Sequence, residues 1–396
     1  MAQFHRTCAL ALALAGSAWA QQSAQVPPDT GAHGPKLTPR THEEREHTYE
    51  AEHHVILNVL VTDRAGRPVT GLRQSDFTLL DNGQPRKLSS FRAVEGSKGI
   101  APARVVLVLD AVNNTPKDVA GDRKGVEEFL AQSPGRLAFP TSIGILTAAG
   151  LRVSPPSRDR DTVLAQLQSF TRTAHLYICG DSGGGSEQVF ATFTVHTGSA
   201  ISEGERPDEK ASCENQRFHH SVAALKQFVV DQENEQGRAI LIWTGRGWPL
   251  LLRHEFSDDS IGVKQNMFDN LALITNAMRE GQVTLDAVFS PDLFRRVELR
   301  TDHDNAFFNG VPKENEMTGS SLGLQMLAHQ SGGLVLIDGK DLAAEIAQCV
   351  ADAQLYYALS FELPPAGSPG EFHSLEVKTD DPALTVRTNT NYYAEP

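Results

Sequence analysis

Residues 177–188 read YICGDSGGGSEQ and contain Gly-Asp-Ser-Gly-Gly, the string that surrounds the nucleophilic serine of trypsin-like proteases. A serine hydroxyl attacks a carbonyl only when a base takes its proton and a third group orients that base. Ser182 lacks this context. His175 is close upstream in sequence, no long β-rich stretch precedes the serine, and alternating strand and helix patterns follow it. The hydrolase elbow G-x-S-x-G needs a strand before and a helix after, whereas this string sits in a glycine-rich loop. A secreted hydrolase is the last of three functional readings. Residues 302–310, DHDNAFFNG, place Asp302 and Asp304 at calcium-loop spacing, but Ala306 falls on the fifth position and no glutamate follows in register, so a solvated loop is expected. His42, His47, His53 and His54 lie in a polar stretch and read as a solvated tail.

The elements that position these residues begin with an export signal. Residues 1–20 carry His5 and Arg6, an apolar run from Cys8, and small residues ending Ala18-Trp19-Ala20. That is the order of a secretory signal peptide, and the run is too short to span a bilayer. With no other long apolar stretch, the expectation is an exported protein, periplasmic or secreted. Residues 21–52 have no period and read as a flexible leader. A net charge of −13 argues against nucleic acid as a partner. Cys179, Cys213 and Cys349 follow the signal. Cys349 falls on the apolar face of a helical pattern with Leu342 and Ile346, where a buried inert thiol is expected. Cys179 and Cys213 then pair, closing a loop of about 35 residues worth roughly 4 kcal/mol in loop entropy.

At Val55 the pattern changes. VILNVLVTD alternates as a strand, FTLLD gives another, and Asn82-Gly83 is a hairpin signal before RKLSSFRAV. From Arg104 strands and helices alternate: RVVLVLD, TSIGILTAAG, RAILIWT, VTLDAVF and LVLID as strands, with helical patterns between them and at residues 341–354. Such alternation implies a doubly wound, mostly parallel sheet covered on both faces. LYYALSFEL, FHSLEVKT and LTVRTNTNYY return to β. The expected architecture is α/β, with the parallel-sheet domain (102–354, carrying an insertion at 173–217) set between the halves of a β-sandwich, residues 53–98 and 355–396.

Five pieces in order, NVLVTDRAGRPVTGLRQSDFTLLDNGQPRKLSSF, VVLVLDAVNNT, GRAILIWTGRGWP, LAHQSGG and the final YYALSFELPP…NTNYYA, carry a resemblance. The α/β part resembles a von Willebrand factor A domain, and residues 55–394 are similar to the VWFA-related domain of acidobacterial secreted proteins. The resemblance implies a site at the carboxyl ends of the strands, where a D-x-S-x-S motif, a distant threonine and a second aspartate hold Mg²⁺ or Mn²⁺. Asp110 matches the first position, but Val112 and Asn114 stand at the serines, and the fourth strand ends Thr244-Gly245-Arg246 without its aspartate. Valine offers no ligand atom, and a cation wants several hard oxygens. No cofactor is therefore expected, and Asp110 is read as a cap that accepts backbone N–H bonds or pairs with Arg246; Asp110 and Asn114 are the ligands that a metal would require.

The binding candidates are Asp110, Asn113, Asn114, Thr244, Arg246 and Trp248, the last as an exposed anchor at the same end as Trp243 and Pro249 or as packing on the sheet rim. The leading reading is a non-enzymatic interaction or adhesion protein that binds a protein or extracellular polymer through this face without metal. The second is a metal-dependent adhesion domain with an atypical shell that Asp110, Asn113 or Asn114 would build. Strand addition at a sandwich edge is a further binding mode. A fluorophosphonate probe is expected to leave the protein unlabelled; labelling mapped to Ser182 would restore the hydrolase reading.

Overall fold

The computed structural model describes residues 54–95, 103–173, 207–248, 261–289 and 310–394, less positions 234, 236, 318, 338 and 340, together with Tyr177 and Phe308. The segments expected to be a signal and a leader, His175, Cys179, Ser182, Pro249 and most of residues 302–310 lie outside the described residues.

Three runs rich in aliphatic residues frame the fold. β5 (Arg104–Asp110), β9 (Ala239–Gly245) and β10 (Val283–Phe289) are buried almost throughout, as strands covered on both faces are. β6 (Arg136–Thr147) joins β5 in parallel, and β11 (Val335–Leu336) extends β10. β7 (Gly150–Val153) turns back antiparallel on β6, which also pairs the short β8 (Ser157–Asp159). The order is β7-β6-β5-β9-β10-β11. Its first strand in the chain, β5, therefore lies between β6 and β9, and the winding reverses between β5 and β9.

Alternation along each strand sends side chains to two cores. Val106, Val108, Leu241 and Trp243 face one core with α3 (Pro207–Gln232), α4 (Ile261–Glu280) and α5 (Leu324–Gln330). Val105, Leu107, Leu109, Ile240 and Ile242 face the other with α1 (Pro116–Ala131), α2 (Arg160–Thr173) and α6 (Leu342–Ala351). Each fully buried Leu or Ile contributes about 1.5–3 kcal/mol. Cys349 is buried on α6, and burial pushes its thiol up. α3 begins at Pro207, inside the stretch expected to be an irregular insertion. Proline suits the first turn of a helix, where its missing N–H is not needed, and Cys213 thus sits on this helix.

The flanking segments make two four-stranded antiparallel sheets. β1 (His54–Thr62), β4 (Leu88–Glu95), β12 (Leu355–Glu362) and β14 (Thr385–Arg387) form one, in the order β14-β1-β12-β4. β2 (Phe77–Asp81), β3 (Gln84–Arg86), β13 (Glu371–Thr379) and β15 (Asn391–Ala394) form the other. Val55, Leu57 and Val59 meet Leu79, Val377 and Tyr392 in the core between them. Asn82 and Gly83, both at positive φ (50° and 74°), make the hairpin turn that joins β2 to β3.

Buried polar groups tie the antiparallel sheets to the parallel one. Arg238, 1% exposed, donates to the Asp352 carbonyl (2.7 Å) and the Thr284 hydroxyl (3.0 Å) and stacks over Tyr356. Arg387 donates to Asp352 Oδ1 (2.7 Å) and to the Gly332 carbonyl (3.1 Å). Beside them Asp286 is wholly buried, with Oδ1 accepting the Leu334 N–H at 2.7 Å and Oδ2 unpartnered. Burial first, then the charge of Asp352, push the Asp286 carboxyl up to about 7, against the Leu334 amide, Arg387 and Arg238. An unfolded aspartate loses its proton near pH ~4. Between roughly pH 4 and 7 the folded chain therefore holds a proton that the unfolded chain has released, and stability falls as pH rises through that window. Asp286→Asn keeps an acceptor for Leu334 and is expected to flatten that fall in denaturant titrations. A variant as pH-dependent as the wild type would assign the proton to another group.

Candidate functional site

The carboxyl ends of β5 and β9 meet at the winding reversal, the place where open α/β sheets leave a crevice for ligands. Asp110, the last residue of β5, is 1% exposed there. Its Oδ1 accepts the N–H groups of Val112 (2.9 Å) and Asn113 (2.8 Å). Its Oδ2 accepts Asn113 Nδ2 (2.7 Å) and the Trp243 indole Nε1 (3.0 Å). Burial pushes this carboxyl up, while the Asn113, Trp243 and Val112 donors oppose the shift. Asn113 Nδ2 also donates to Ser221 Oγ (2.8 Å), which in turn donates to the Arg217 carbonyl, so α3 is tied to the same carboxylate.

A second network lies beside it. Asn114 Nδ2 donates to Asp122 Oδ2 (3.0 Å), and Asn114 Oδ1 accepts the Arg246 N–H (2.8 Å). The Asn114 amide rests against Gly245, whose φ is +133° and where a Cβ would collide with it. Thr244 turns its hydroxyl back onto the Val108 carbonyl (3.0 Å), away from the crevice. Arg246 pairs with Asp118 (Nε to Oδ2 2.6 Å), not with Asp110. Asp118 already closes the capping box of α1 with Thr115. Burial works against its charge, but the Thr115 hydroxyl and amide and the Arg246 guanidinium outweigh it and hold the carboxyl below its usual range.

Trp248 is not an exposed anchor. It is 4% exposed, edge-on to Trp243 (5.4 Å) and to Phe218 (6.5 Å), because the apolar rim left between β9 and α3 needs a large side chain to close it. Among the described residues its indole Nε1 has no partner, and neither does Asn113 Oδ1. The structure thus gathers Asp110, Asn113, Asn114, Thr244, Arg246 and Trp248 at one end of the sheet. Among these six, only Arg246 keeps a substantial exposed surface, at 34% of its side chain.

These residues do not fit a divalent cation. All four N–H bonds to Asp110 are taken up inside the protein, Val112 has no ligand atom, the Asn114 amide is engaged at both ends, and the Thr244 oxygen faces the sheet. Among the described residues no three His, Cys, Asp or Glu side chains gather to hold a metal. Sequence reasoning anticipated the backbone donors to Asp110 but missed the part of Trp243, Asp118 and Ser221 in the site. Trp243 sits in an otherwise aliphatic buried strand, and a buried indole N–H must find an acceptor. Asp118 follows Thr115 at capping-box spacing, a readable signal. Ser221 has no such signature.

No family model matches the chain, and no curated protein matches it. Among solved structures it is similar to proximal thread matrix protein 1 from the mussel byssus, described with a zinc-occupied MIDAS motif: 9% identity and a TM-score of 0.34, over 69% of this chain and 50% of that one. The manganese-loaded TRAP protein of Plasmodium vivax gives 9% and 0.32 over 76% and 96%, and a human COPII-coat protein 8% and 0.32 over 74% and 43%. The chain spans about half the length of the mussel protein. Likeness at this level assigns no ligand, and the class of fold rests on the strand order with its antiparallel third strand. The fold is α/β and doubly wound around a mostly parallel sheet, with two antiparallel sheets beside it.

The networks can be tested by stability. Trp243→Phe removes one donor from a carboxylate sealed from water and is expected to cost about 2 kcal/mol in denaturant unfolding. Asn114→Ala strips partners from both Asp122 and the Arg246 amide and should cost at least as much. A loss below about 0.5 kcal/mol, the range of an ordinary surface substitution, would show that water replaces these bonds.

Proposed function

We propose that this is an exported, non-enzymatic interaction or adhesion protein of the secreted VWFA-related type, which binds a protein or an extracellular polymer through the carboxyl-end face of its parallel sheet without a metal. One observation carries the reading: the crevice at the winding reversal is filled by the protein's own donors, with both Asp110 oxygens saturated and Arg246 clamped to Asp118. A surface held this rigidly is organised before a partner arrives, which lowers the ordering cost of association. Among the described residues it offers no base poised beside a nucleophile. The signal-like segment at residues 1–20 and the proposed Cys179–Cys213 clip suit an oxidising compartment outside the cytosol.

The test is calorimetric titration of chelator-treated protein with Mg²⁺, Mn²⁺ and Ca²⁺, with Asp110→Ala alongside. No binding tighter than about 1 mM, equivalent to roughly 4 kcal/mol, is expected, together with an unfolding midpoint that the ions leave unchanged. Saturable binding lost in Asp110→Ala would replace this reading with metal-dependent adhesion.

A further inference from the structure

Edge strands expose a row of backbone groups that only another strand can satisfy along its length, so proteins either protect them or use them. β7 is the outer strand of the parallel sheet on the β6 side. The Ser154 amide just beyond it donates to the Ile143 carbonyl of β6 at 2.8 Å. Because successive backbone groups in a strand point to opposite sides, the amides and carbonyls of Leu151 and Val153 point away from β6. Among the described residues no strand pairs with them. Of the usual protections for an edge, β7 (GLRV) has its shortness and Arg152, whose guanidinium lies over Phe170, but no lysine or proline. Val153 is instead one of the few large apolar side chains left open, at 38% exposure.

The side chains of Leu151 and Val153 share one face of the sheet, and that face meets a groove of about 560 Å³. Ala224 and Phe228 of α3 supply its apolar wall, and Asp231 and Glu235 lie at one end. Asp231 is exposed and accepts only the neutral Gln227 amide (2.7 Å), while Glu235 faces Arg104 at 3.6 Å. Among the described residues, one carboxylate at that end thus has no cationic counterpart.

We propose that β7 is a second binding site, separate from the face at the winding reversal, which takes an extended peptide segment of a partner protein as an added strand. Backbone bonds to Leu151 and Val153 hold the segment. Its inward side chains are small and aliphatic to fit beside Val153 and Phe228, and a lysine or arginine of the segment reaches Asp231. Backbone pairing supplies affinity and the alternate side chains supply selection, as in other cases of strand addition.

The probe is an acetylated heptapeptide with valine at positions one, three and five, lysine at position seven on the same face, and threonine between them, titrated into the full protein with amide hydrogen exchange as the readout. Slowed exchange at Leu151 and Val153 is expected, and N-methylation of the pairing amides of the peptide should weaken binding about tenfold or more, the worth of one or two hydrogen bonds. Val153→Pro removes one outward N–H while leaving the β6 pairing in place and should weaken binding to the same degree. Asp231→Lys, on an exposed helix position, should shift preference to a peptide with glutamate in place of lysine. Arg246→Ala should leave peptide binding unchanged, which keeps this site distinct from the proposed face. Unchanged exchange at millimolar peptide, or binding indifferent to N-methylation, would overturn the proposal.

Discussion

A carboxylate removed from water must be met by hydrogen-bond donors, or it gives up its charge. Asp110 imposes that demand at the one place where the winding of the sheet reverses. The chain answers with two backbone amides, a carboxamide and an indole. Trp243 has to come from β9, Asn113 from the loop after β5, and Ser221 from α3 to orient Asn113. One buried carboxyl group thereby fixes the relative positions of two strands and a helix. The adjacent Asn114 bridge does the same for α1 and the β9 terminus. A cation could have supplied this cross-linking through shared oxygen ligands; here nitrogen donors supply it.

The opposite requirement governs the junction with the antiparallel sheets, where buried cations need acceptors. Arg238 finds a carbonyl, a hydroxyl and a tyrosine ring, and Arg387 finds a carboxylate and a carbonyl. Tyr393 of β15 enters the core formed by α4, packing edge-on against Phe268, while Asn276 pairs with its backbone in both directions. Breaking such a junction would leave charges buried without partners, a cost larger than the loss of the contacts themselves. The sandwich and the parallel sheet therefore share a single structural fate, and all described residues fall in one compact unit.

The sequence pattern made much of this legible. Aliphatic runs marked β5, β9 and β10 because burial on both faces removes any alternation. Asn82-Gly83 marked its hairpin because two residues must adopt positive φ there. The role of Asp110 as an acceptor of backbone N–H groups was readable from the absence of oxygen ligands around it. Its indole partner was not, since hydrogen bonds between residues more than a hundred positions apart leave no local trace. The burial of Trp248 was one of two readings, and the way Phe218 and Trp243 close the rim decides for it. The early start of α3 was hidden by polar residues around Cys213, whose composition reads as loop although the backbone is helical. β11, only two residues long, is defined by its partner more than by its own sequence.

The chain leaves the sandwich at Glu95 and returns at Leu355, and these two residues face each other across the β4–β12 pair. Everything between them hangs from adjacent strands. Tension applied across residues 54 and 394 would load β1 and β15, and the pairing of β1 with both β12 and β14 would carry it. At the other end Asn276, bonded to the Tyr393 backbone in both directions, would pass part of the pull into α4. The load would thus be shared between sandwich and helix, and neither would yield alone.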